Sequence, residues 1–126
     1  MFNWLNNIIG IDLSNFDASK VTDMGFMFSA CSNLEKIEFG NINTSSVENM
    51  YCLFYDCSAL ISIDLSKFDT SKVKDIEWMF SGCSSLIYLN LKSFKLKNTV
   101  NKNSAFTGIS SNVKYCIEDI KIKKIF

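Results

Sequence analysis

One interval constrains this chain more than anything else in it: shifted by 26 residues, the sequence falls back on itself. Phe28, Phe54, Phe80 and Phe106 share one column, with Phe2 one step earlier; Cys31, Cys57 and Cys83 share a second; Leu34, Leu60 and Leu86, preceded by Ile8, share a third. A fixed period of this length marks units that cannot bury an apolar face alone and must stack on neighbours to do so. The 126 residues then read as a single repeat domain: a partial repeat over 1–10, repeats over 11–36, 37–62 and 63–88, and a degenerate repeat with a C-terminal cap over 89–126. The sequence begins inside a repeat, so it reads as the C-terminal portion of a longer array, with Trp4, Leu5, Ile8 and Ile9 at a raw apolar end.

Within each unit the apolar residues recur with the spacing L-x-x-L-x-L-x-x-F, as in Leu60, Ile63, Leu65 and Phe68. Alternation across Ile63, Asp64 and Leu65 is the period of a strand, inward, outward, inward. Strands are expected near 11–13, 36–39, 62–65 and 88–91, stacked as a parallel sheet on one face, with one or two more in the closing VKYCIEDIKIKKIF. After each strand a polar stretch, DASK, NTSS or DTSK, resembles a helix N-cap. The residues that follow place Val21, Met24, Met27, Phe28 and Cys31 at steps of three and four, the spacing of one helical face. Short helices are therefore expected near 20–30, 46–56 and 72–82, with a poorer one near 102–107. The fold class is α/β, a leucine-rich-repeat-like solenoid of strand-helix repeats.

The blocks FDASKVTDMGFMFSACSNL and FDTSKVKDIEWMFSGCSSL closely resemble the 26-residue repeat of bacterial surface proteins called BspA-like, over about residues 2–112. That resemblance implies the leucine-rich-repeat-like architecture, a cell-surface or secreted location, and adhesion or host-protein binding. The start of this chain shows no signal-peptide pattern.

Chemistry is scarce. The five cysteines come without histidine and without C-x-x-C spacing, so no metal is expected. Cysteines stacked about 4.8 Å apart are too distant for a disulfide, whose Cβ atoms sit roughly 3.5–4.5 Å apart; buried thiols are the expectation. The positions of Cys52 and Cys116 are left open. With no histidine, nucleophile motif or phosphate loop, no catalysis and no cofactor are expected. Thirteen lysines balance thirteen carboxylates, which gives no pull toward nucleic acid. No apolar run is long enough for membrane insertion. The charge is uneven: residues 1–63 carry two lysines against seven carboxylates, −5, and residues 64–126 carry eleven against six, +5. That asymmetry also allows end-to-end self-association.

What remains is the outward sheet column, Asp12, Glu38, Asp64 and Asn90, flanked by Lys36 and Tyr88. Like charges on adjacent strands repel, so a stripe of acids has either a ligand or a merely solubilising role. The functional expectation is a non-enzymatic module, part of a surface adhesin, binding a protein partner through Asp12, Lys36, Glu38, Asp64, Tyr88 and Asn90. The alternative is a structural spacer with no ligand.

Overall fold

Three of the short strands centre on one buried aliphatic residue between outward neighbours. β1 (Gly10–Asp12), β2 (Lys36–Glu38), β3 (Ser62–Asp64), β4 (Tyr88–Asn90) and β5 (Lys114–Cys116) recur about 26 residues apart. Ile37, Ile63 and Leu89 point into the core while their neighbours face solvent or are half-buried. The structure is a computed structural model that describes residue 2 and residues 5–124. All pairing is parallel and in register with the repeat, Ile11 opposite Ile37 and Ile63 opposite Leu89. β1 pairs with β2 in one sheet, and β3, β4 and β5 form another. β5 comes from the closing segment. Beyond it Ile120–Lys123 form a single helical turn, α1, where the sequence allows a further strand.

The interruption between β2 and β3 coincides with a local departure from the repeat. At the strand ends of the other copies Asp12, Asp64 and Asn90 accept the backbone N–H two residues on, from Ser14, Ser66 and Lys92, at 2.8, 2.8 and 3.1 Å. These are Asx turns. In the second copy the residue is Glu38, whose longer side chain pairs with Lys36 instead. Two residues on stands Gly40, with φ of +56°, a left-handed conformation that glycine adopts at no steric cost.

The expected helices over 20–30, 46–56, 72–82 and 102–107 are not there. Among the described residues the only α-helix is α1. In the place of the expected helices the chain runs through successive tight turns, and alternate N–H groups point along the stack. Met24, Phe26, Phe28 and Ala30 donate to the carbonyls of Asn49, Tyr51, Leu53 and Tyr55 in the next copy. The intervening Met27, Ser29 and Cys31 donate three residues back, to Met24, Phe26 and Phe28. Both later steps repeat the ladder, from Met50, Cys52, Phe54 and Asp56 and again from Ile76, Trp78, Phe80 and Gly82.

Geometry favours turns over helices. A helix is about 10 Å across, whereas parallel strands lie about 4.8 Å apart, so helices on the far side would force the copies to fan. Turns keep both sides at one spacing, and the Phe28, Phe54 and Phe80 rings stack at 5.5 and 5.3 Å. The ladder also requires left-handed backbone at Phe26, Cys52, Trp78 and Ser104, with φ of 57°, 52°, 58° and 54°, and again at Ala30, Asp56, Gly82 and Gly108. No right-handed helix accommodates such residues. The polar stretch before each ladder forms turns as well: Asp17, Asn43 and Asp69 accept from the backbone N–H of Ser19, Ser45 and Ser71.

Between strands and turns lies the core. Phe28, Phe54, Phe80, Leu34, Leu60 and Leu86 are wholly buried. Phe2 stacks on Phe28 and Phe106 on Phe80, each at 5.6 Å, so the degenerate fourth copy still joins the column. At the C-terminal end Ile117 and Ile122 are buried, and Asp119 accepts the Leu96 N–H at 3.0 Å. Of the apolar N-terminal residues, Leu5 and Ile9 are exposed, whereas Trp4 lies outside the described residues.

The cysteine column is buried and forms no disulfide. Each thiol donates to the phenylalanine carbonyl of the preceding copy: Cys31 to Phe2 and Cys57 to Phe28 at 3.0 Å, Cys83 to Phe54 at 3.1 Å. The Phe28 and Phe54 carbonyls also accept from Cys31 and Cys57 N–H, so the thiol fills the second lone pair. Burial pushes the Cys57 thiol well up and Cys83 up to about 12. A thiol raised in the folded state contributes stability that is complete below its unfolded pKa near 9 and is lost as pH rises toward the folded value. Reducing agent is thus expected to leave the melting temperature unchanged, while alkaline titration above pH about 9 lowers it, less so in Cys83→Ala measured against its own neutral-pH value. A fall in melting temperature on reduction contradicts this reading.

Candidate functional site

The strand register divides the sheet face in two. Asp12 lies opposite Glu38, and Gly10 opposite Lys36; Asp64 lies opposite Asn90, and Tyr88 opposite Lys114. Asp12, Lys36, Glu38, Asp64 and Tyr88 are exposed and Asn90 is half-buried. The structure thus brings Asp12, Lys36 and Glu38 together, and Asp64, Tyr88 and Asn90 together, with the β2–β3 interruption between the groups. Along that interruption Ile37, Glu38, Phe39, Gly40, Asp64 and Lys67 line a crevice of about 210 Å³.

The acids of this face already have partners. The Ser14 hydroxyl and N–H hold the Asp12 carboxyl below the usual carboxylate range. For Asp64 burial works upward, but the Ser66 hydroxyl and N–H and the Asn90 amide outweigh it and hold the carboxyl down. Lys36 and Glu38 pair at 2.7 Å, and that contact raises the lysine. The stacked acids are therefore tolerated because each ends a strand or pairs with a lysine.

Sequence reasoning missed the apolar residues that border this face. Ile61 and Ile87 sit just before β3 and β4 and are joined by the Ile87 N–H to the Ile61 carbonyl at 2.8 Å. Ile87 is 56% exposed and its neighbour Tyr88 41%. The signal was present in the repeat: where the second copy has Glu35, the third and fourth have isoleucine.

A second feature lies on the turn ladder. Phe26, Ser29, Tyr51, Cys52, Tyr55 and Trp78 line a pocket of about 340 Å³. Two edge-on aromatic pairs form its walls, Phe26 with Tyr51 at 5.1 Å and Tyr55 with Trp78 at 6.3 Å. Below them runs a ladder of alternating carboxylate and amide, Asp23, Asn49, Asp75 and Asn101, joined by parallel bridges. The Asn49 amide donates to Asp23 at 3.0 Å, and the Asn101 amide donates to Asp75 and to Glu77 at 3.4 and 2.9 Å. Alternation relieves the repulsion that a column of carboxylates would carry. A helical reading sends all of these residues to a solvent-facing surface, so neither the ladder nor the pocket is visible in it.

Among the described residues no group of histidine, cysteine or carboxylate side chains is arranged to hold a metal ion, and no helix is long and apolar enough to cross a membrane. The model of a family described as Mycoplasma protein of unknown function, DUF285, matches residues 1–118. No curated protein and no solved structure matches the chain.

Proposed function

We propose that this chain, which belongs to the DUF285 family, is a non-enzymatic protein-interaction module. In this reading it is a leucine-rich-repeat-like solenoid of the BspA-like kind and part of a cell-surface adhesin that binds a protein partner through the face of its strands. One observation supports the reading above others: exposed Ile61, Ile87 and Tyr88 lie side by side along the polar rows of β3 and β4. Apolar and aromatic anchors rimmed by polar groups are what a protein interface uses. The engagement of Asp12, Asp64 and Glu38 within their own turns and ion pair favours a second reading, a spacer whose acids only end strands and keep the face soluble.

Binding to a panel of immobilised extracellular proteins separates the two. The triple variant Ile61→Ser, Ile87→Ser, Tyr88→Ser alters exposed positions, so it is expected to keep its fold while losing affinity by about ten-fold or more. Saturable binding to no member of the panel, or binding that the triple variant retains, leaves the spacer. Protease treatment of intact cells tests the location, since a surface protein is cleaved without lysis.

A further inference from the structure

The pocket on the turn ladder is lined from one left-handed column of the backbone and its neighbours. Phe26, Cys52 and Trp78 occupy equivalent left-handed positions, where a side chain with a Cβ is disfavoured and glycine is not. At the other left-handed column glycine stands at Gly82 and Gly108, and Ala30 and Asp56 occupy the first two copies. Phe26 is nevertheless a phenylalanine and is 48% exposed. The same left-handed turn recurs at Ser104, so the ladder sets the backbone, and the aromatic side chains carried on it are what distinguish this cluster.

The chemistry of the walls narrows the ligand. Four aromatic rings meet edge to face around one opening, and no charged side chain lines it. Carboxylates lie close by. Glu77 adjoins Trp78 in the chain, and the Cys52 N–H donates to its carbonyl at 3.0 Å. The contact with Cys52 raises the Tyr51 hydroxyl and burial raises the Cys52 thiol, with the nearby Glu77 and Asp75 carboxylates adding to both shifts. Both carboxylates accept from the neutral Asn101 amide. Lys74, beside Asp75 in the chain, pairs with Glu48 at 2.6 Å. Aromatic faces backed by carboxylates attract an organic cation and repel an anion, and a weakly hydrated quaternary ammonium gains most from such a cage.

We propose that Phe26, Tyr51, Tyr55 and Trp78 form a binding site for a quaternary ammonium group of the choline type, as a free molecule or as a lipid headgroup. The site is independent of the strand face and stands or falls without it. The test titrates choline into the full chain carrying Trp4→Phe, so that Trp78 reports alone by fluorescence, beside choline's uncharged isostere with tert-butyl in place of trimethylammonium. Choline is expected to give a saturable change and to bind about ten-fold or more tightly than the isostere. Phe26→Asn, which suits a left-handed position and an exposed site, is expected to keep the melting temperature and weaken choline by a similar factor; Tyr55→Ala provides a second variant. Co-sedimentation with phosphatidylcholine rather than phosphatidylglycerol vesicles assigns the source to a headgroup, and saturation by choline without vesicle binding assigns it to the free molecule. Equal binding of the isostere, no saturable change with choline, or affinity unaltered in both variants overturns the proposal.

Discussion

Phe54→Ala is expected to lose about 5 kcal/mol of stability, the upper end of the range for truncating a buried aromatic residue. Its ring is wholly buried, stacked on Phe28 and Phe80 and edge-on to Phe39 at 6.4 Å. Two stacking partners are lost along with the buried area, each worth about 0.5–1.5 kcal/mol. The backbone around it donates and accepts within ladders fixed at both sides, so the cavity has little freedom to collapse. Phe106, in the degenerate copy and 8% exposed, should cost less when truncated. Urea denaturation of both variants checks the order. A loss below about 1 kcal/mol at Phe54, or a larger loss at Phe106, means that the column does not hold the copies together.

The second large effect is expected at Gly40, where Gly40→Val should cost about 3 kcal/mol. A Cβ there would stand 2.9 Å from the Ser14 Cα and 3.0 Å from the Ser14 Cβ, and backbone on an adjacent copy cannot swing aside as a side chain can. The φ of +56° adds the cost of a β-branched residue in left-handed backbone, roughly 1–2 kcal/mol, to an overpacking cost of about 1–3 kcal/mol. The thermal melt of this variant reads the closeness of two consecutive copies at the strand end. An unchanged melt would show that Ser14 and Gly40 are not in contact.

Much of this architecture is written in the repeat. The period alone aligns Phe28 with Phe54 and Phe80, and alternation within I-x-L places Ile37, Ile63 and Leu89 inward, as they are. The thiols of Cys57 and Cys83 follow from the same alignment, because residues stacked one repeat apart are too far apart to bridge. The turn ladder was illegible for a physical reason. Inward residues at steps of three and four, Met24, Met27, Phe28 and Cys31, belong equally to a helix and to a run of tight turns. The arbiter is the width available per copy, which a single copy does not state. Two signals favoured turns: glycine at 82 and 108, and Ser, Cys and aromatic residues in place of strong helix formers. The acids of the strand face were placed correctly on the outside, but their work in ending strands depends on Ser14 and Ser66 N–H groups two residues on. The pocket of Phe26, Tyr51, Tyr55 and Trp78 hid behind the helix assignment, since side chains spread around a helix would not converge as these do across neighbouring copies.

Everything in the account descends from the claim that copies stack through hydrogen bonds on both sides, strands on one and turns on the other, with helix confined among the described residues to Ile120–Lys123. Far-ultraviolet circular dichroism of the purified chain tests that claim most directly. The account predicts a spectrum of strand and turn, without the double minimum of α-helix. A pronounced helical double minimum, as helices over 20–30, 46–56 and 72–82 would produce, contradicts it.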